Sequence, residues 1–163
     1  MSDHAAILHG YVTEARTLRA GLEPLPGSEA APADIVDYLR NVRARMDRVE
    51  HLLTTAVVLR GRAARVATAH GHGADDDWDE AIVRVRSAPV RRNDEYSSAR
   101  ERNAEANLAT VEARRLARDA AEFQHLCEET VEALRLVHRG LDGVRHDTLT
   151  VLRLAQFESH LER

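Results

Sequence analysis

Apolar and small residues recur three and four positions apart through the second half of the chain. Ala99, Ala106, Ala109, Ala113, Leu116, Ala120, Phe123, Cys127, Thr130, Leu134, Val137, Leu141, Val144, Thr148, Val151 and Ala155 hold one register, interrupted only by Arg102. A 3.5-residue repeat sustained over about eight heptads marks a long helix lying along a partner helix. The same spacing appears earlier, in Leu8, Tyr11, Ala15, Leu18 and Leu22, and again in Ile35, Leu39, Val42, Met46, Val49, Leu53, Ala56 and Ala63, where Arg60 is the break.

Punctuation between these stripes divides the chain into helices. Ser2 or Asp3 caps a first helix over about 3–22, and Pro24 and Pro26 end it. A linker over 23–33 follows. Pro32 suits the entry of a second helix, over about 34–70. Gly71 and Gly73 read as its stop, and Asp75, Asp76 and Asp77 as the acidic start of a short helix over about 76–87. Asn93 or Asp94 then caps the long helix, expected over about 94–161. Gly140 and Gly143 weaken its interior by about 1 kcal/mol each relative to alanine. The register nevertheless passes through Leu141 and Val144 without a phase jump, so a continuous helix, kinked at most at 140–143, is expected.

The fold class that follows is all-α: one helical domain over 1–163, an elongated antiparallel hairpin or coiled-coil bundle of three to five helices with a very long C-terminal helix. A reversal near Pro89 would set the arginines of 40–65 against Asp119, Glu122, Glu128, Glu129 and Glu132, so that opposite charges meet along the seam.

Composition narrows the picture. Aromatic residues make up only 4% of the 163, so the core must be filled by Leu, Val and Ala. All 23 basic residues are arginine, and alanine is abundant, which points to a GC-rich genome. The net charge of −4 argues against a surface that binds polyanions throughout. The single cysteine, Cys127, lies on the stripe, where a buried free thiol is expected. Charged residues within positions 1–20 exclude a signal-peptide core, and no apolar stretch approaches the length of a membrane span. A cytoplasmic location and no membrane partner are therefore expected.

Chemistry is sparse. Glu122 and His125 have the Glu-x-x-His spacing of carboxylate-bridged di-iron bundles, but such sites need a second copy of the motif. His70, His72 and Asp75–Asp77 have ligand chemistry for a divalent ion, yet glycine flanks and helix capping account for the same residues. No phosphate-cradling glycine loop, His-Glu-x-x-His or Gly-x-Ser-x-Gly motif occurs. No enzyme, no cofactor and no metal are expected. Arg84, Arg86, Arg91 and Arg92 cluster at the hairpin tip as a candidate site for an anion or an acidic partner. Val151, Leu152, Leu154, Phe157 and Leu161 are too widely spread around a helix for one narrow stripe. They are covered either by the first helix or by a second copy of the chain, which makes a homo-oligomer an expectation.

The stretches from Tyr96 to Thr110, from Val137 to Arg145 and from Phe157 to Arg163 resemble segments of uncharacterised helical proteins from actinobacterial genomes and their phages. That resemblance implies an all-helical fold and no particular activity. The hairpins of the type VII secretion family are similar in shape, but their Trp-x-Gly turn and Tyr-x-x-x-Asp/Glu signal are not matched. Here Trp78 precedes Asp79-Glu80, and Arg100 stands four positions after Tyr96. The sequence thus supports a non-enzymatic coiled-coil protein acting through protein–protein binding. The alternative is a DNA- or RNA-associated accessory protein of a phage or mobile element, using the arginine tip.

Overall fold

A computed structural model describes residues 2–27, 29–87 and 99–161, and among them every regular element is a helix. Helix α1 spans Ser2–Ala20, α2 Pro32–Ser87, α3 Ala99–Ala109 and α4 Val111–Leu161. The chain is an all-α bundle with a long C-terminal helix, as the heptads require. It divides into two compact units, the first made of Met1–Leu59 with Leu126–Arg163 and the second of Arg60–His125.

The first unit is a three-helix bundle. Leu8 and Ala15 from α1, Val49, Leu52 and Ala56 from α2, and Val131, Leu134, Val137 and Leu141 from α4 are buried. All but Leu8 belong to one apolar cluster, against which Tyr11, Leu18, Leu22 and Met46 pack. Helix directions follow from polar contacts. Arg48 Nε donates to Glu14 Oε1 at 2.6 Å, Arg45 Nη1 to the Leu18 carbonyl at 2.5 Å, and the Tyr38 hydroxyl to the Glu23 carbonyl at 3.0 Å. Rising numbers on α1 thus meet falling numbers on α2, and the two run antiparallel. Arg16 and Arg19 line a concavity with Ala133, Leu136 and Val137, while Leu22 lies with Val144 and Asp147. Helices α1 and α4 therefore run parallel.

These contacts revise the charge pairing expected from sequence. Arg45 and Arg48 are taken up by α1, and Glu132 pairs along its own helix with Arg135. The Arg48 guanidinium bonded to Glu14 holds that carboxyl below the ordinary glutamate range. Its contribution to stability is present above the unfolded value and is lost as pH falls through the folded one. The pair is about half exposed, so it sets register more than it adds stability.

The second unit has a different interior. Among its described residues the buried side chains are Ala63, Ala74, Ala81, Ala106 and Thr110, all small. The Arg114 guanidinium lies 4.2 Å from the centre of the Trp78 ring, joining α4 to α2. A cation–π contact of this kind is worth about 0.5–1 kcal/mol at an exposed site.

Two expected boundaries are corrected. The stop at Gly71 and Gly73 and the separate helix over 76–87 do not exist, because α2 continues through both glycines. None of the described glycines has a left-handed backbone. Ala63 is buried and Ala67 half-buried before the glycines, and Ala74 and Ala81 are buried and Trp78 and Val85 half-buried after them, so packing on both sides offsets the glycine cost. The long helix is in turn interrupted once, at Thr110. There the backbone N–H is shared between the Ala106 and Asn107 carbonyls at 3.2 and 3.3 Å, and the hydroxyl donates back to Ala106 at 3.0 Å. Gly140 and Gly143, by contrast, leave α4 unbroken.

The stripes also drift. In α2, burial recurs every seventh residue from Ile35 through Val42, Val49 and Ala56 to Ala63. The series would next reach His70 and Asp77, which are exposed; Ala74 and Ala81 are buried instead. Their spacing from Ala63 is that of an undistorted helix of about 3.6 residues per turn, whereas the stretch before Ala63 follows the seven-residue repeat.

Candidate interaction surfaces

Arg84, first of the four arginines assigned to the tip, projects from the last turns of α2. It is exposed, and its Nη2 donates to Glu80 Oε1 at 2.6 Å, one turn earlier on the same helix. Arg84 therefore has a carboxylate of its own helix beside it. Arg86 belongs to α2, but its side chain lies outside the described residues, as do Arg91, Arg92 and the reversal near Pro89. Earlier on the same helix, Asp75, Asp76, Asp77, Asp79 and Glu80 are all exposed.

Neither metal reading assembles. On a continuous helix His70 and His72 are about 200° apart and point to opposite sides. Among the described residues no three His, Cys, Asp or Glu side chains come together as a metal site. Cys127 is buried and unpaired with another cysteine. Burial, and secondarily the neighbouring Glu128 charge, pushes its thiol above the ordinary range. A thiol in that state is a poor nucleophile.

What the structure does expose is large apolar side chains. Leu108 is 76% exposed and Val111 54%, on either side of the Thr110 interruption, and Leu116 follows in the first turns of α4. Sequence reasoning assigned Ala109 and Leu116 to the seam. In the structure Thr110 is buried in place of Ala109, and half-buried Ala117 in place of Leu116.

Two smaller surfaces lie in the first unit. Arg16, Arg19 and Ala20 with Ala133, Leu136 and Val137 line an open concavity of about 470 Å³. At the far end of α4, Ala155 is buried and Val151 and Leu152 are half-buried, whereas Leu154 and Phe157 are exposed. The monomer thus covers only part of the apolar C-terminal end. No helix is long and apolar enough to cross a membrane among the described residues. No family model, curated protein or solved structure matches the chain.

Proposed function

We propose that the chain is a non-enzymatic helical binding protein, an adaptor or regulatory partner that engages another protein through the apolar surface around the Thr110 interruption. The supporting observation is the exposure of Leu108, Val111 and Leu116 within nine residues of sequence, next to the buried Ala106 and Thr110. A leucine more than three-quarters exposed loses favourable burial in a free monomer, and a group of three invites a covering partner. The reactive groups present point the same way: the lone thiol is buried, and the arginine at the tip already has a carboxylate.

The test compares capture from host lysate by the native chain and by a Leu108→Glu/Leu116→Glu variant. A protein retained by the first and lost from the second supports the reading. Identical capture by both, or none by either, removes it. The variant should keep its helical content, because both positions face solvent.

A further inference from the structure

Gly140 gives Arg19 its seat. With no side chain at that position the Arg19 guanidinium lies against the backbone of α4, where an added Cβ would stand 2.8 Å from the guanidinium carbon. Gly140, Val144 and Asp147 follow one another at four and three positions, so they share one face of that helix. Asp147 stands two turns beyond Gly140, about 10 Å along the axis. Arg19 and Asp147 line the same concavity of about 220 Å³, inside the first unit. Half-buried Leu22, Tyr38 and Val144 form its apolar wall together with Leu25. The Tyr38 hydroxyl donates to the Glu23 carbonyl at 3.0 Å, which fixes the ring.

Opposite charges thus line one small space without closing on each other. Among the described residues neither Arg19 nor Asp147 forms an ion pair within 4.0 Å, and nor does Glu23, which lines the same concavity. We infer that the gap takes a free α-amino acid with an apolar side chain. Its carboxylate meets Arg19, its ammonium meets Asp147, and its side chain lies against Leu22, Leu25 and Val144. The lengths agree. An α-amino acid sets its two charges about 3 Å apart, and a charge-assisted hydrogen bond reaches about 3 Å further at each end. The whole span is about 9 Å, which the two turns from Gly140 to Asp147 provide. A planar guanidinium suits a carboxylate, because its fork meets both oxygens. A lone anion would meet Asp147 and Glu23 unfavourably, and a lone amine would leave Arg19 unused, whereas a zwitterion answers both signs. The volume lies below the range of drug-sized ligands, which limits the occupant to a small molecule.

Ligand-observed NMR titration of the full-length chain with L-leucine is the test. Saturation with a dissociation constant of about 1 mM or tighter is expected. Leucinamide lacks the carboxylate, N-acetyl-leucine lacks the ammonium and glycine lacks the apolar body. Each should bind at least about tenfold more weakly than leucine. Arg19→Gln and Asp147→Asn should each weaken leucine by a similar factor. Gly140→Ala keeps every charge but displaces the Arg19 guanidinium, so it should weaken leucine as well. Arg19 and Asp147 are exposed, so circular dichroism should be unchanged in their variants. Failure of leucine to saturate the chain at any concentration overturns the inference. Leucinamide binding as tightly as leucine also overturns it, because Arg19 would then contribute nothing. So does leucine binding that survives both Arg19→Gln and Asp147→Asn, which would put the ligand elsewhere. Leu108 belongs to the second unit, so this inference and the proposed partner binding stand or fall separately.

Discussion

Leu134 and Leu141 are wholly buried in the cluster that joins three helices, whereas Leu136 between them is 60% exposed. Truncation to alanine should therefore separate the neighbours. Leu134→Ala removes packed atoms and leaves a cavity, at a cost of about 2–5 kcal/mol. Leu136→Ala should stay within about 0.5 kcal/mol of the native chain. Urea unfolding followed by circular dichroism distinguishes the two. Cys127 offers a second check at this scale. Its sulfur is buried and its thiol raised, so a colorimetric thiol reagent should modify the native protein far more slowly than the urea-unfolded one. Equal rates would mean that the seam at Cys127 is open. Thr130 and Thr148 are also buried on that seam, their hydroxyls donating to the Leu126 and Val144 carbonyls at 2.8 and 2.7 Å. Each polar group is satisfied within its own helix, which is how a threonine occupies an apolar position.

At the level of elements, the continuity of α2 is the feature least like the expectation, and Gly71 tests it. A Cβ added there meets nothing within 4 Å. Gly71→Ala should therefore stabilise by about 0.5–1 kcal/mol, and Gly71→Pro should destabilise by about 3 kcal/mol by breaking the helix. A turn at this point would tolerate proline, so the pair of variants discriminates. Gly140 is the contrasting case, since a Cβ there would stand 2.8 Å from the Arg19 guanidinium carbon and displace that side chain. The helices themselves were legible because heptads are a cooperative signal, repeated too often to be chance. In α1 the expected stripe matches burial at every position from Leu8 to Leu22, and in α4 from Cys127 to Ala155. The glycine stop was misread because local propensity is weak against packing on both flanks. Rotation of the stripe was invisible because a strict seven-residue count assumes that each helix winds to follow it. The tip arginines were legible as composition, and helical spacing sets Glu80 one turn before Arg84, where the two pair.

On the scale of the molecule, the two units differ in what holds them. One has leucine and valine packed among three helices, and the other has alanine and threonine. The buried side chains described in the second unit are the smaller ones, so it should open at lower denaturant concentration. The chain's single tryptophan, Trp78, belongs to that unit and reports on it alone. Its fluorescence transition in urea should precede the loss of helical circular dichroism. Amides of 49–56 and 131–141 should in turn exchange more slowly than those of 106–120. Coincident transitions would show instead that the long helices couple the units into one cooperative block.

The alanine interior carries a consequence of its own. Where leucines fill a bundle, harm comes chiefly from taking volume away. Ala63, Ala74, Ala81 and Ala106 have almost nothing to give up, and each methyl acts as a spacer that fixes how near two backbones lie. Harm here should come from adding bulk: one isobutyl group at Ala81 would wedge the neighbouring helix outward along its length. A systematic substitution map should then invert its sign partway along a single helix, tolerant of small residues past Ala63 and tolerant of large ones before it.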